Sequence, residues 1–571
     1  MRFIVLASDY DGTLASDGVV SDSTIAALER MRESGRTLVL VTGRELDDLG
    51  RVFPRLDLFD RVVAENGAVL FAPAEHREVV LAPPPPPAFV AALRRRHVKP
   101  LAVGHSIIST RHPHETTVLK AIRELGLELK IIFNKGAVMI LPSGTTKCTG
   151  LAAALAELGL SFHNVVGVGD AENDHAFLRA SECAVAVANA LPALKKTADW
   201  TTVNTGGAGV VELIEHLITD DLRFLEPRLV RHDVVLGTAA TRTRRRVMLR
   251  SNGTSLLVAG SSSAGKSSLT LGVLERISGQ HYQYCLLDPE GDYEAMPNAV
   301  RLGTHNQAPA VEEVLDVLQR PDQSVVVCLL AVARADRPTY FTWLLARLEA
   351  LRATTGRPHW LILDEAHHLL PSDWGALDKV VPHTFGGLIM ITVRPRALAP
   401  VLLRSVTVVC AVGEDPGRRL RDFCEIVHER PPAAPSEDLE KGQAVVWQRG
   451  HRRADRIAVE PARRDRQRHR RKYAEGELPP DRSFYFTGPD ARLHLRAHNL
   501  SLFVELGDGV DDVTWLHHLR AGHYSRWVRA ILKDDTLADR LAQLEDNSTL
   551  TPRESRTQVR EAIEEGYAPP E

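Results

Sequence analysis

FIVLASDYDGTLASDG, residues 3–18, opens as an apolar run and breaks at once into acidic, glycine and hydroxyl residues. Phe3–Ser8 is the right length for one buried strand, and too short for a secretory leader. Asp9-Tyr10-Asp11-Gly12-Thr13 then stands just past the strand end. Two carboxylates at i and i+2 in that position can converge on one ligand with a cation between them. In an open parallel sheet, ligands gather at the carboxyl ends of strands. The fold therefore turns on whether further strands follow, each ending in a residue with matching chemistry.

They do. TLVLVTG, RVVAENGAVLF and VVGVGD read as buried strands, and TIAALERMRESG, KCTGLAAALAELG and DHAFLRAS as helices. Strands alternating with helices predict an α/β domain with a parallel sheet over residues 1–222. An insert at about 82–144 interrupts the alternation. It opens on the proline run 83–87, read as a stiff hinge. A helix, the strand PLAVGHSII, a second helix, and two strands turning at Asn134-Lys135 follow.

At 571 residues the chain exceeds one ordinary core. It is 44% hydrophobic and 25% charged, as a globular protein should be, and its net charge of −3 gives no global attraction for nucleic acid or membrane. The six cysteines are scattered with no CxxC pair, which predicts free thiols in a reducing, cytoplasmic setting. No run of 18 apolar residues occurs, so no membrane span is expected.

Each strand end in the first domain carries a useful group. Thr42 offers a hydroxyl and Gly43 an unobstructed backbone N–H; Lys147 opens a helix after the insert; Asp170 and Asp174 follow VVGVG. Phosphoryl chemistry needs a nucleophile, a proton donor, a cation and a phosphate cradle, and these residues supply all four. DxDGT, VTGR, a lone lysine and GDxEND, in that order, resemble the haloacid dehalogenase superfamily of phosphatases. Glu65-Asn66-Gly67 and the small insert resemble its members with an α/β cap, the Cof-type and archaeal phosphoglycolate-phosphatase-like enzymes. The resemblance implies a Rossmann-like core with a lid. Asp9 would be the nucleophile and Asp11 the acid and base. Thr42 and Lys147 would hold the phosphate. Mg2+ would sit on Asp9, Asp11 (through its carbonyl) and Asp170, with Asn173 and Asp174 in support. Arg44 is as well read as a solvated helix-start residue as a ligand contact.

A second α/β alternation spans 223–460. GSSSAGKS, Gly260–Ser267, follows the strand TSLLVA and opens the helix SLTLGVLERI. That context suits a phosphate-binding loop for ATP. Backbone N–H groups around Gly260 and Gly265 wrap the phosphates, Lys266 reaches them, and Ser267, beside Ser268, binds Mg2+. HWLILDEAHHLL places Asp364 to hold that Mg2+ and Glu365 to polarise water, which favours hydrolysis over a kinase. LLDPEGDYE (286–294), the DEAHHLL stretch and MITVRPRAL resemble the HerA/FtsK/VirB4 group of ring ATPases, with Thr392 as a sensor. Val393 stands where that group commonly has Gln, and Arg394 and Arg404 are candidate arginine fingers. The resemblance implies a homo-oligomer, possibly a ring.

A basic run at 463–472 marks a boundary, and Arg242–Arg246 form another. Residues 461–571 read as a basic linker and a mixed, mainly helical module of unassigned role. Trp515 and Trp527 are expected as core anchors, and His517-His518 without a metal partner. The expectation is a Mg2+-dependent phosphatase for a small phosphorylated metabolite, fused to an ATP-hydrolysing domain. The alternative is a ring motor on nucleic acid with an end-processing phosphatase.

Overall fold

The computed structural model describes residues 2–567 apart from 135, 241–243, 262–263, 294–295, 297, 373, 375–385, 436–437, 463–477, 479, 481 and 533. The chain forms two compact units, residues 1–461 and 462–571. Among the described residues no helix is long and apolar enough to cross a membrane. The six cysteines are free thiols, and all but Cys148 are buried.

The first sheet is built from β1 (Val5–Ser8), β2 (Thr37–Val41), β3 (Arg61–Ala64), β4 (Val69–Ala72) and β5 (Arg77–Val80). After the insert, which holds β6 (Ala102–Val103), β7 (Ile108–Arg111), β8 (Leu129–Asn134) and β9 (Ala137–Pro142), it adds β10 (Val165–Gly169), β11 (Cys183–Ala186) and β12 (Trp200–Thr201). Its order is β12-β11-β10-β1-β2-β3-β4-β5. From β12 to β3 every pairing is parallel, as the buried apolar strands require; β4 and β5 return antiparallel. The chain winds outward from β1 on both sides, so β1 lies at the switch point where such sheets bind ligands.

Two readings of single strands are corrected. RVVAENGAVLF is not one strand: Glu65 and Asn66 take left-handed φ of 48° and 55°, and β4 folds back on β3. PLAVGHSII is likewise a hairpin, β6 and β7, turning at residues 104–107. The insert is a four-stranded sheet, β6-β7-β9-β8, under the helices Pro87–Arg95 and Glu115–Glu124. Phe89, Leu93, Val118, Ile122 and Ile140 form its own small core. Asn134 ends β8 instead of lying in the turn, and Lys135 lies outside the described residues.

The second sheet runs from β13 (Val234–Ala239) to β23 (Asp455–Val459). It includes β14 (Arg246–Leu249), β15 (Ser255–Gly260), β16 (Tyr284–Asp288), β17 (Ala299–Leu302), β18 (Ser324–Cys328), β19 (Trp360–Leu363), β20 (Leu388–Thr392), β21 (Val408–Val412) and β22 (Gln443–Gln448). Their order is β14-β13-β23-β22-β21-β15-β20-β19-β16-β18-β17. The hairpin expected near 442–460 forms as β22–β23, and β13 and β14 extend it. Contacts with the first domain are polar and buried. Fully buried Arg357 donates to the Gly159 carbonyl at 2.5 Å on one side and to Gln283 Oε1 at 2.8 Å on the other. His163 stacks on Tyr282 with ring centres 3.6 Å apart.

In the second unit the hairpin β24 (Phe484–Phe486) and β25 (Leu495–Ala497) packs with six helical segments, among the described residues, around Phe486, Phe503, Trp515 and Tyr524. Trp515 and Trp527 are buried and donate to Ser555 Oγ at 2.9 Å and the Arg482 carbonyl at 3.0 Å. The basic run 463–472 and Arg242 lie outside the described residues.

Candidate active site

β1 lies between β10 and β2, so their carboxyl ends bring Asp9, Asp170 and Thr42 side by side. The pairing continues into the loops: Asp9 N donates to the Val168 carbonyl at 3.0 Å and Thr42 N to the Val63 carbonyl at 2.8 Å. Lys147 arrives from across the insert. Thr146 caps the helix Lys147–Leu158 in a reciprocal box with Thr149, which fixes where the first turn begins. The Lys147 side chain is then buried, with Nζ 2.5 Å from Asp9 Oδ1 and 2.7 Å from Asp174 Oδ1.

Asp174 is held from its other oxygen, which accepts from the N–H groups of Asp170 and Ala171, each at 2.9 Å. Gly169 makes this possible, because a Cβ there would lie 2.6 Å from Asp174 Oδ2. Burial first, then Asp174, push the Asp9 carboxyl up to about 8 against the pull of Lys147. Burial disfavours the Lys147 ammonium, but Asp174 and Asp9 more than offset it, so its pKa is raised.

Asp11 faces a different partner. Its carboxylate accepts from Arg44 Nε and Nη2, both at 2.7 Å, and Arg44 also donates to Asp48 at 2.6 Å. Arg44 is therefore a site residue and not a solvated one. Thr42 is fully buried, and its Oγ1 accepts from Arg44 N at 3.1 Å. Asn173 donates to Asn66 Oδ1 at 3.1 Å and lies beside Gly43. Thr13, given no separate role in the sequence, turns its hydroxyl toward Asp9 and Asp170 at 3.5 and 3.4 Å. Its place as the last letter of DYDGT was the available signal.

Asp9, Asp170 and Asp174 each offer a buried oxygen, all within 4.8 Å of one another. An all-carboxylate set suits a hard divalent cation such as Mg2+. Asp174 already spends both oxygens on Lys147 and backbone N–H groups, so Asp9 and Asp170 are the fitting ligands and Asp174 their support.

Residues 6–93 and 97–214 match the model of the haloacid dehalogenase-like hydrolases. A phosphoglycolate phosphatase of Methanothermobacter thermautotrophicus is 30% identical over 220 residues, 37% of this chain and 98% of the relative. This chain belongs to that hydrolase family through its N-terminal domain. Phosphoglycolate phosphatase 2 of Saccharolobus solfataricus is 29% identical over 225 residues, covering 38% of this chain and 93% of its own. A 5-amino-6-(5-phospho-D-ribitylamino)uracil phosphatase of Bacillus subtilis is 25% identical over 238 residues, covering 38% and 95%. The N-terminal domain of this hydrolase is a phosphatase, and phosphatases of the family use Mg2+.

In the second domain, β15 ends at Gly260, where a Cβ would lie 2.5 Å from Val412 Cγ2. Gly265, at φ 91°, starts the helix Lys266–Gly279. Lys266 folds back on the loop and donates to the carbonyls of Gly260 at 3.0 Å and Ser261 at 2.7 Å. Ser267 and Ser268 lie in the first turn, half-buried and exposed; Ser262, Ser263 and Glu294 lie outside the described residues. Asp364 follows β19 and is buried at the same end of the sheet, two strands from β15. Burial, then Asp292, Asp288 and Glu365, hold its carboxyl well above the usual range. Glu365 takes a left-handed φ of 40° beside His367. Thr392, on the strand between, pairs with His367 Nδ1 at 3.1 Å, while Arg394 and Arg404 are exposed.

His517-His518 does have a third histidine nearby: His518 Nδ1 lies 2.9 Å from His523 Nδ1. The helix end between them hid this in the sequence. His518 Nε2 already accepts from Thr487 N at 3.0 Å, so its Nδ1 carries the proton and is a hydrogen-bond donor, not a metal ligand.

Proposed function

We propose that residues 1–222 hydrolyse a small phosphate monoester of the phosphoglycolate or sugar-phosphate class, and that residues 223–460 bind and hydrolyse ATP. One observation carries the first half: the insert stands directly over the phosphate loop. A Cβ on Gly43 would lie 3.0 Å from Cε of Met139, on β9. Such a lid leaves room for a small ester and excludes water from Asp9.

Asp9 attacks phosphorus, the bond to the leaving oxygen breaks, and Asp11 gives that oxygen its proton. Asp11 then takes a proton from water as it attacks the aspartyl-phosphate, which frees phosphate and Asp9. Lys147 aims Asp9, while the Thr42 hydroxyl and Gly43 N–H hold phosphoryl oxygens. Asp11 must exchange Arg44 for the leaving group to do this. Mg2+ on Asp9, the Asp11 carbonyl and Asp170 would offset the negative charge gathered there.

Phosphate release from phosphoglycolate, a panel of sugar phosphates and a 5′-phosphorylated oligonucleotide tests the substrate class. A small ester should have the highest kcat/KM. An oligonucleotide exceeding every small ester overturns the assignment.

The ATPase half is supported by the placement of Lys266 and Asp364 at one end of a parallel sheet, with Thr392 on the strand between them. Among the described residues of the tail no chemistry assigns it a role.

A further inference from the structure

Glu65 follows β3 and is fully buried, and its carboxylate is bonded to the insert, whereas Lys147 bonds Asp9 and Asp174. Glu65 Oε1 accepts from His105 N at 2.8 Å; Oε2 accepts from Ser106 N at 2.8 Å and Ile107 N at 3.0 Å. The turn between β6 and β7 is thus wrapped around a carboxylate supplied by the core. Gly104 makes room, since a Cβ there would lie 2.6 Å from Glu65 Oε1. Three convergent backbone donors on one buried anion form a strong, directional attachment.

The turn that presents Glu65 also reaches the chemistry. Glu65 N donates to the Arg44 carbonyl at 2.8 Å, Asn66 N to the Thr42 carbonyl at 2.9 Å, and Asn66 Oδ1 accepts from Asn173. Gly67 packs against Thr146 and the Lys147 backbone so closely that a Cβ would overlap the Thr146 carbonyl. Two consecutive non-glycine residues at left-handed φ persist only where surrounding contacts over-determine them.

We propose that Glu65 is the positioning residue that latches the lid over the phosphate site, through the turn that also braces Thr42, Asn173 and Lys147. The anion is needed because all three partners are donors. Glu65→Gln keeps the shape and the turn but turns an amide N–H2 toward donors. Gly104→Ala leaves Glu65 and every site residue unsubstituted and forces the latch apart from the lid side.

Both variants are compared with the parent on phosphoglycolate and on p-nitrophenyl phosphate, together with hydrogen exchange at residues 105–107. Each should lose about tenfold or more in kcat on the small ester, which depends on closure, with the aryl ester unchanged or faster. Exchange at 105–107 should rise in both. Equal losses on both esters would mean a merely structural role and overturn the proposal. So would parental kinetics with parental exchange in both variants. If the parent itself does not turn over phosphoglycolate, the substrate class above fails, whereas exchange at 105–107 still decides the latch.

Discussion

Arg44 grips Asp11 with two arms, Nε to Oδ2 and Nη2 to Oδ1, each 2.7 Å long. The residue proposed as acid and base is thereby held in a resting position, which an incoming ester must displace. Asp11→Asn should lose about 10²–10⁴-fold on alkyl esters, the usual worth of a positioned proton donor. With p-nitrophenyl phosphate the leaving group needs no proton, but the second step still needs a base. A stopped-flow trace should show a burst of one nitrophenolate per active site, then a slow phase. No burst with normal turnover would remove Asp11 from the mechanism.

Lys147 is the cation bonded to two buried carboxylates, Asp9 and Asp174. Lys147→Ala should end ester hydrolysis and destabilise the first domain by about 3–5 kcal/mol, the scale for a buried pair left without one partner. Added Mg2+ should recover part of the melting temperature but not the activity. Asp9→Asn should abolish ester hydrolysis through loss of the nucleophile and leave ATP hydrolysis intact. Ester turnover by Asp9→Asn near the parental rate would reject the covalent route.

The site residues that directly follow strands were legible, because adjacency in a parallel sheet turns sequence order into proximity. Asp9, Thr42 and Asp170 needed only the strand pattern. The latch was not legible. Its partners are backbone N–H groups of residues 105–107, which leave no side-chain signature, and the apolar run PLAVGHSII concealed the turn that presents them. The Arg44–Asp11 pair was missed for a similar reason: a lone arginine after a glycine looks the same whether it meets solvent or a carboxylate. β13 pairs antiparallel with β23, about 200 residues on, and carries β14 at the sheet edge, a distance over which local pattern has no reach.

Glu182 gives the first domain an acid-sensitive contact with the second. Burial alone would raise its carboxyl, but His163 first, then Arg2 and His232, bring it down to about 2. His163 also bonds the Gln280 carbonyl at 2.8 Å, across the junction. A carboxyl lowered on folding stabilises above its unfolded value near 4.5 and loses that contribution as pH falls toward 2. Glu182→Gln should therefore melt below the parent at pH 7, with the gap narrowing from pH 5 to pH 3. A gap constant across that series would show that the pairing with His163 is not what lowers the carboxyl.

The second domain can be tested apart from the first. Lys266 rests on the Gly260 and Ser261 carbonyls, so nucleotide phosphates must draw it off the loop. Lys266→Ala should abolish ATP binding, read by fluorescence of a labelled nucleotide. Glu365→Gln keeps the side-chain shape and removes the anion that would orient water. It should bind ATP like the parent and hydrolyse it at least about 100-fold more slowly, the scale of a lost general base. Parental hydrolysis by Glu365→Gln would take Glu365 out of the reaction. Arg394 and Arg404 are exposed, as a finger offered to a neighbour must be. A site completed that way makes ATP turnover per chain rise with protein concentration, and Arg394→Ala or Arg404→Ala should flatten the rise. Turnover per chain independent of concentration, in a sample that sediments as a monomer, would leave each ATP site self-sufficient and rule out the ring.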